Sequence, residues 1–454
     1  MQYYKFALYS ALLSLLLNGC ATFSNDGGLA DVKALTAPHL KQEVVWPKNE
    51  GAKTIVAGRV SELLQEPLNA DSAVQIALLN NSGLQASLYA LGVAEADVVQ
   101  AGRLPNPKFS MLYARHQGEY KIEQALTFNI FSLLAMPKVL EIERSHFEKT
   151  KQAVAIEVLS LAYETRAAYF NAVAANELVR YSVQVKESAE ASAVLAQRMV
   201  AAGNWNTLEQ AREQGFYADA LLEYTSAKLA QNRAHASLAR LLGVSAEQLK
   251  LEKRLPDIPK TASELQPLDK TAFEQRLDLQ AIRLETAALA KQLGLTKTSR
   301  FINVLEIGPA RVLEGRRGDA YKKGVDIAFE LPLFDWGDAK VARAEAIYMQ
   351  SVHRAAQTAV NAQSEISEAY SHYLATYEMA KYYRDDIVPL RQKILAENQL
   401  RYNGMLVSPF ELFADARAQV ASVKAYINSL NEFWLAETAL NKAFIGKPTS
   451  LEGK

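Results

Sequence analysis

Lys138–Ala202, KVLEIERSHFEKTKQAVAIEVLSLAYETRAAYFNAVAANELVRYSVQVKESAEASAVLAQRMVAA, is the stretch that decides the fold. It holds neither glycine nor proline and is rich in Ala, Glu, Leu, Gln and Lys, a composition that favours helix throughout. Pro137 stands where a first-turn proline is tolerated, and Gly203 where a helix is expected to stop. One helix over this run would be on the order of 98 Å long, whereas globular helices average about a dozen residues. It cannot bury its apolar side alone and needs a helical partner along its length. A second run, Ala339–Asn403, repeats the plan and ends at Gly404, with Pro389 expected to kink it.

Upstream of each long run the period changes from helical to alternating. Phe109, Met111 and Tyr113 face one way and Lys108, Ser110 and Ala114 the other; after a turn at His116–Glu119, Ile122, Leu126, Phe128 and Ile130 oppose Glu123, Ala125, Thr127 and Asn129. Strands of roughly ten residues have the length a tilted strand needs to cross a bilayer. Before the second run come a strand at Phe301–Ile307, with both faces mixed and unassigned, and a loop through Pro309, Gly315 and Gly318. The next strand alternates Val325, Ile327, Phe329 and Leu331 against Asp326, Ala328 and Glu330.

The order helix, hairpin, long helix, reversal, helix thus occurs twice. An offset of 201 aligns Phe128 with Phe329, Tyr169 with Tyr370 and Gly203 with Gly404; past the tip, Ala211-Arg212 aligns with Ala416-Arg417. The chain divides into a signal peptide (1–19), an extended N-terminal segment of little independent structure (20–68), a first repeat (69–243) and a linker (244–267). A second repeat (268–445) and a tail (446–454) complete it. The first repeat opens with a helix from Asn69 or Asp71 to about Arg103, with a break near Asn80–Gly83.

The N-terminus has a charged start at Lys5, an apolar stretch Phe6–Leu17 and then Leu17-Asn18-Gly19-Cys20, the pattern of a secretory signal. Cys20 is the single cysteine of the chain, so it staples nothing. The ending resembles a bacterial lipobox, which implies acylation of Cys20 (palmitate) and, with Ala21 following, sorting to the outer membrane; a generic signal peptide is the other reading.

Lys plus Arg equals 50 and Asp plus Glu equals 50, so no net charge argues for nucleic acid. The six histidines have no metal-ligand spacing, and no H-E-x-x-H, G-x-S-x-G, Walker loop or G-x-G-x-x-G occurs. Neither catalysis, a metal nor a cofactor is expected, and the energy for any transport must come from a partner. Four amphipathic strands cannot close a barrel, and an open sheet edge cannot sit in lipid. If the strands span a membrane, several chains share one barrel, and three chains would give twelve strands.

Three stretches carry a family resemblance: Ala101-Gly102-Arg103-Leu104-Pro105-Asn106-Pro107, Leu331-Pro332-Leu333-Phe334-Asp335-Trp336-Gly337, and Arg401-Tyr402-Asn403-Gly404 leading to Glu411-Leu412-Phe413-Ala414-Asp415-Ala416. In order and spacing the chain resembles the TolC-like outer-membrane efflux channels, lipoprotein branch. The resemblance implies a mainly α fold in which long antiparallel helical hairpins form an α-barrel. Four β-strands per chain build a twelve-stranded transmembrane β-barrel shared by a homotrimer. It also implies a lipid-anchored outer-membrane location with a large periplasmic part, docking to a periplasmic adaptor (membrane fusion) protein and an inner-membrane efflux pump. The chain departs from it at the first tip, where Gly203–Ala211 is shorter than Gly404–Ala416. A periplasmic coiled-coil scaffold or adaptor lipoprotein is the competing reading, and the exported substrate, metal ion or organic compound, stays open.

Within this frame Glu123, Asn129, Asp326 and Glu330 are expected in the barrel lumen. Gly203, Gly404 and Ser408 mark the tips and the adaptor-docking end. Glu411 and Asp415 lie four residues apart on one helical face, and threefold repetition would make each a carboxylate ring at a periplasmic gate. Arg401 would hold the closed state by pairing with an acid; alternatively both acids are surface groups near a helix N-terminus.

Overall fold

The computed structural model describes residues 22–263, 276–301, 304–316 and 318–446. The signal peptide, Cys20, part of the linker, the first residues of the second repeat and the tail beyond Gly446 lie outside them. Short helices α1 (Leu29–Thr36), α2 (Glu50–Leu63), α3 (Ala70–Asn80) and α4 (Ser82–Ala101) lead into strands β1 (Lys108–His116) and β2 (Glu119–Asn129). The long helix α5 (Ile130–Ala201) and its partner α6 (Thr207–Leu242) complete the first half. The second half comprises α7 (Leu277–Ser299), β3 (Leu305–Gly315), β4 (Lys322–Phe329), α8 (Asp338–Tyr382), a π turn (Tyr383–Ile387), α9 (Val388–Asn403) and α10 (Pro409–Ala443).

The 20–68 segment is not a loose leader. Asn49 caps α2 by accepting from the Ala52 N–H, and Val32, Val44, Trp46 and Val60 are buried. Lys151 of α5 ties α1 down through Asp31 at 2.6 Å. Composition hid this because the short helices draw their stability from the long one. The break near Asn80 is as expected: Asn81 ends α3 and caps α4 through the Leu84 N–H.

The long helix starts earlier than the proline suggested. Asn129 caps it, accepting from the Ser132 N–H at 2.8 Å, and the helix runs 72 residues with Pro137 inside. That places Pro137 in the third turn, past the first-turn position it was expected to hold. Around the middle of α5 nearly every side chain from Ala153 to Ala175 is buried, because α3, α4, α10 and the N-terminal segment all pack there. Beyond, burial thins to Ala175, Ser182, Ala189 and Ala196, seven residues apart, facing α6. Small residues at a heptad position let two helices approach closely, the signature of a coiled-coil seam.

The described part of the linker is pinned across this core: Leu255 and Ile258 are buried, and the Trp434 indole donates to the Pro256 carbonyl at 2.9 Å. The sheet is antiparallel in the order β1-β2-β3-β4. Gln117 and Gly118, both at positive φ (46° and 91°), make the two-residue turn that suits the strand twist. Pro309 lies inside β3 rather than in a loop, at the point where the β2–β3 pairing skips Leu126 and Thr127. Gly308 admits the Leu126 carbonyl, which leaves no room for a Cβ.

Candidate functional site

Two regions bear on function: the sheet and the tips of the helical hairpins. Paired residues of a sheet share a face, so the register sorts every side chain. Phe109, Leu126, Val325 and Ile327 lie on one face with Phe128, Ile307 and Phe329, and most of them are exposed. Glu123, Asn129, Glu306 and Asp326 lie on the other. The strand expected at Phe301–Ile307 is found as β3 over Leu305–Gly315, and the register assigns its faces: Ile307 and Leu313 join the apolar face, Glu306 and Glu314 the polar one. Glu330 follows β4, its N–H donating to the Val304 carbonyl. On the polar face Glu123 pairs with Lys121 at 2.9 Å and Glu306 with Lys108 at 3.5 Å. Acids still exceed bases there: Glu119, Glu123, Glu306, Glu314 and Asp326 against Lys108, Lys121 and Lys322.

The two tips are built differently. At the first, Gly203 (φ 77°) takes the left-handed conformation, and the Asn204 N–H reaches back to the Met199 carbonyl. Asn206 and Glu209 then form a capping box that starts α6. At the second tip Gly404 has φ −85°, and the left-handed residue is Met405 (φ 58°), with the Leu406 N–H closing on the Arg401 carbonyl. The equivalence of Gly203 with Gly404 therefore slips by one residue. Ser408 caps α10 by accepting from the Glu411 N–H, with Pro409 in the first turn.

The gate candidates do not converge within one chain. Glu411 is exposed, whereas Asp415 is half-buried and accepts a hydrogen bond from the Asn398 amide of α9. Arg401 is exposed and, among the described residues, makes no ion pair. What the structure does bring together is Glu213, Arg417 and Ser192. Glu213 of α6 is 1% exposed; it accepts from the Ser192 hydroxyl at 2.7 Å and pairs with the Arg417 guanidinium of α10. Arg417 also lies 4.6 Å from the Phe216 ring centre. A cleft of about 360 Å³, lined by Tyr181, Val185, Phe216, Phe413 and Arg417, opens beside this cluster. Trp205 of the first tip meets Phe413 of the second edge to face, centroids 6.4 Å apart.

A sequence signal for this seam exists. Glu213 sits one heptad from Ala220, at a position that otherwise carries alanine (Ala220, Ala227, Ala234), so a carboxylate interrupts a small-residue stripe. Arg417, Lys424 and Asn431 are likewise seven apart on α10, and they meet Glu213, Glu223 and Asn171 of the first half. Polar residues at seam positions set register and partner choice.

Among the described residues no cluster of His, Cys, Asp or Glu could hold a metal ion. Nor is any of their helices long and apolar enough to cross a membrane, which says nothing of a β-barrel.

Comparison with known proteins agrees with this architecture. The chain is 25% identical over 276 residues to the cobalt-zinc-cadmium resistance protein CzcC of Cupriavidus metallidurans, spanning 59% of this chain and 64% of that protein's length. A membrane protein from Pseudomonas aeruginosa superposes with a TM-score of 0.71 at 18% identity, covering 83% of this chain and 93% of that one. The Campylobacter jejuni CmeC outer membrane channel gives 0.68 at 17% identity, covering 95% and 94%. No family model matches the chain. The long helical hairpins and the four-stranded sheet share the fold of these solved chains, which bears out the resemblance to the TolC-like channels at the level of fold.

Proposed function

We propose that this chain is the protomer of a passive exit duct in the bacterial outer membrane. Three copies share a twelve-stranded barrel, and a periplasmic adaptor and an inner-membrane efflux pump supply substrate and energy. The observation that carries the reading is the sheet: four strands with two open edges, one apolar and exposed face, and one polar face. A soluble scaffold would have to leave that face in water, with Phe109, Val325, Ile327 and Phe329 each more than half exposed, the kind of contiguous apolar patch that marks a membrane or partner surface. In a barrel, lipid covers it, and neighbouring copies pair the edges. Glu123, Asn129, Asp326 and Glu330 then line the lumen.

The helices extend the duct by roughly 100 Å beneath the membrane. Their ends at Gly203, Gly404 and Ser408 are the docking end for the adaptor. The constriction lies at the same end. Glu411 is the exposed acid available to a threefold ring, while Asp415 stiffens the second hairpin through Asn398. The excess of acids on the polar face favours cations as cargo, and the name of the Cupriavidus relative, a cobalt-zinc-cadmium resistance protein, supports metal ions as candidates. Acylation of Cys20 adds a second hold on the membrane.

The test is the ranking of two neighbouring substitutions. Ile327→Arg places a charge in lipid, a penalty of about 2–4 kcal/mol near the midplane, and is expected to deplete heat-modifiable trimer in outer-membrane extracts. Asp326→Arg faces the lumen and leaves the trimer assembled. The opposite ranking rejects the barrel.

A further inference from the structure

The charges of the sheet are divided between its faces more sharply than the barrel requires. Among the described residues the apolar face carries no carboxylate, yet it carries Arg115, Arg311 and Lys323. Arg115 stands beside the Gln117–Gly118 turn, at the end remote from the helices, and Lys323 is the second residue of β4, with Arg311 opposite it, level with Gln124 of β2. Below them the face is hydrocarbon alone: Leu126, Phe128, Ile307, Val325, Ile327 and Phe329. Arg311 and Lys323 sit directly opposite each other across β3 and β4, and like charges in that position repel. The described residues offer neither an ion pair. Arg311 has one polar partner, the Gln124 amide oxygen at 2.5 Å, and rests over the Tyr321 ring at 4.9 Å; Arg115 lies 5.3 Å from the Tyr120 ring. Tyr113 and Tyr120 pack together beside Arg115, on the turn side of Arg311, and aromatic side chains mark a membrane interface.

We propose that Arg311 and Lys323 form a binding site for a phosphorylated lipid headgroup of the outer leaflet, with Arg115 adding to the same band on the β1 side. The inference rests on the barrel reading, which puts this face against lipid and this end outermost. Two uncompensated cations facing each other at an interface are stabilised by a shared dianion. A guanidinium with its outer N–H groups free offers the forked geometry that phosphate oxygens accept. Gln124 and Tyr321 fix the position of the exposed Arg311 guanidinium on this face.

The experiment uses the full-length protein in nanodiscs of phosphatidylcholine doped with either bisphosphorylated or fully dephosphorylated lipid A, with retained lipid counted by native mass spectrometry. The wild type is expected to enrich the bisphosphorylated lipid about 30-fold, as two basic groups near an anionic surface imply. Arg311→Gln with Lys323→Gln abolishes the enrichment, and Lys322→Gln, on the polar face, keeps it. Equal retention of the two lipids by the wild type overturns the site, and this comparison needs no variant, so it stands if the double substitution prevents assembly. Enrichment surviving in an assembled double variant also overturns it, as does displacement of the lipid by millimolar inorganic phosphate. Planar-bilayer conductance on the same sample separates the levels. A conducting trimer without enrichment overturns the lipid site alone, whereas a sample that neither assembles nor conducts overturns the barrel and the site with it.

Discussion

The first and second hairpins share a plan and differ in how they hold themselves together. In the first, α5 runs unbroken into a glycine-capped reversal and zips onto α6 through Ala175, Ser182, Ala189 and Ala196. In the second, the π turn Tyr383–Ile387 interrupts the helix just before Pro389, and α9 beyond it buries no residue at all in the protomer. A π turn absorbs one extra residue and relieves the proline's missing donor, which gives the outgoing segment its own direction. Leu390 and Leu400 of that segment and Leu406 just beyond it are exposed, a surface that neighbouring copies would cover in the proposed assembly. The lesson is that repetition of sequence plan does not imply repetition of mechanical role. The first hairpin is a self-supporting strut, and the second joins it along α10, by apolar packing of Phe433 and Trp434 near the core and by polar contacts toward the tip.

The strongest way to break that contrast is Arg417→Ala. It strands the buried Glu213 carboxylate beside Ser192, and removing one partner of a buried pair costs about 3–5 kcal/mol; Arg417 is partly exposed, so the lower figure applies. The thermal unfolding temperature of the purified protein should fall, and single-channel conductance should rise as the second hairpin detaches. Glu213→Gln together with Arg417→Ala should recover most of the stability without restoring the closed conductance. Equal stability of the single and double variants would show that the seam carries no charge coupling.

A smaller effect separates the tips. Gly203→Ala forces an L side chain into a left-handed backbone and should cost about 1–2 kcal/mol, whereas Gly404→Ala, at φ −85°, should cost far less despite its matching place in the repeat. Equal losses at both positions, read from thermal melts, would restore the simple equivalence of the two glycines. The smallest effect has the opposite sign. Met405 is 93% exposed and strained at φ 58°, so Met405→Gly should stabilise by about 0.5–1 kcal/mol after the unfolded chain's added freedom is discounted. A loss on that substitution would mean that the Met405 side chain is held by a partner at the assembled tip.

The sequence by itself determined the long helices, the two amphipathic hairpins, the break at Asn80–Asn81, and the faces of β1, β2 and β4. Each is written in a local period or a local cap, and a 72-residue helix or an alternating strand needs no distant contact to be recognised. It also held the heptad of alanines that Glu213 interrupts, although nothing local says which helix supplies the cation. Only the tertiary structure decided that the N-terminal helices dock on α5, that the Pro309 region is strand, that Met405 rather than Gly404 takes the left-handed turn, and that Asp415 bonds to Asn398 instead of standing free. In each of these the energy comes from surfaces that meet across long stretches of chain: a helix too short to persist alone, a strand completed by its neighbour's register, a reversal set by where two packed helices must part.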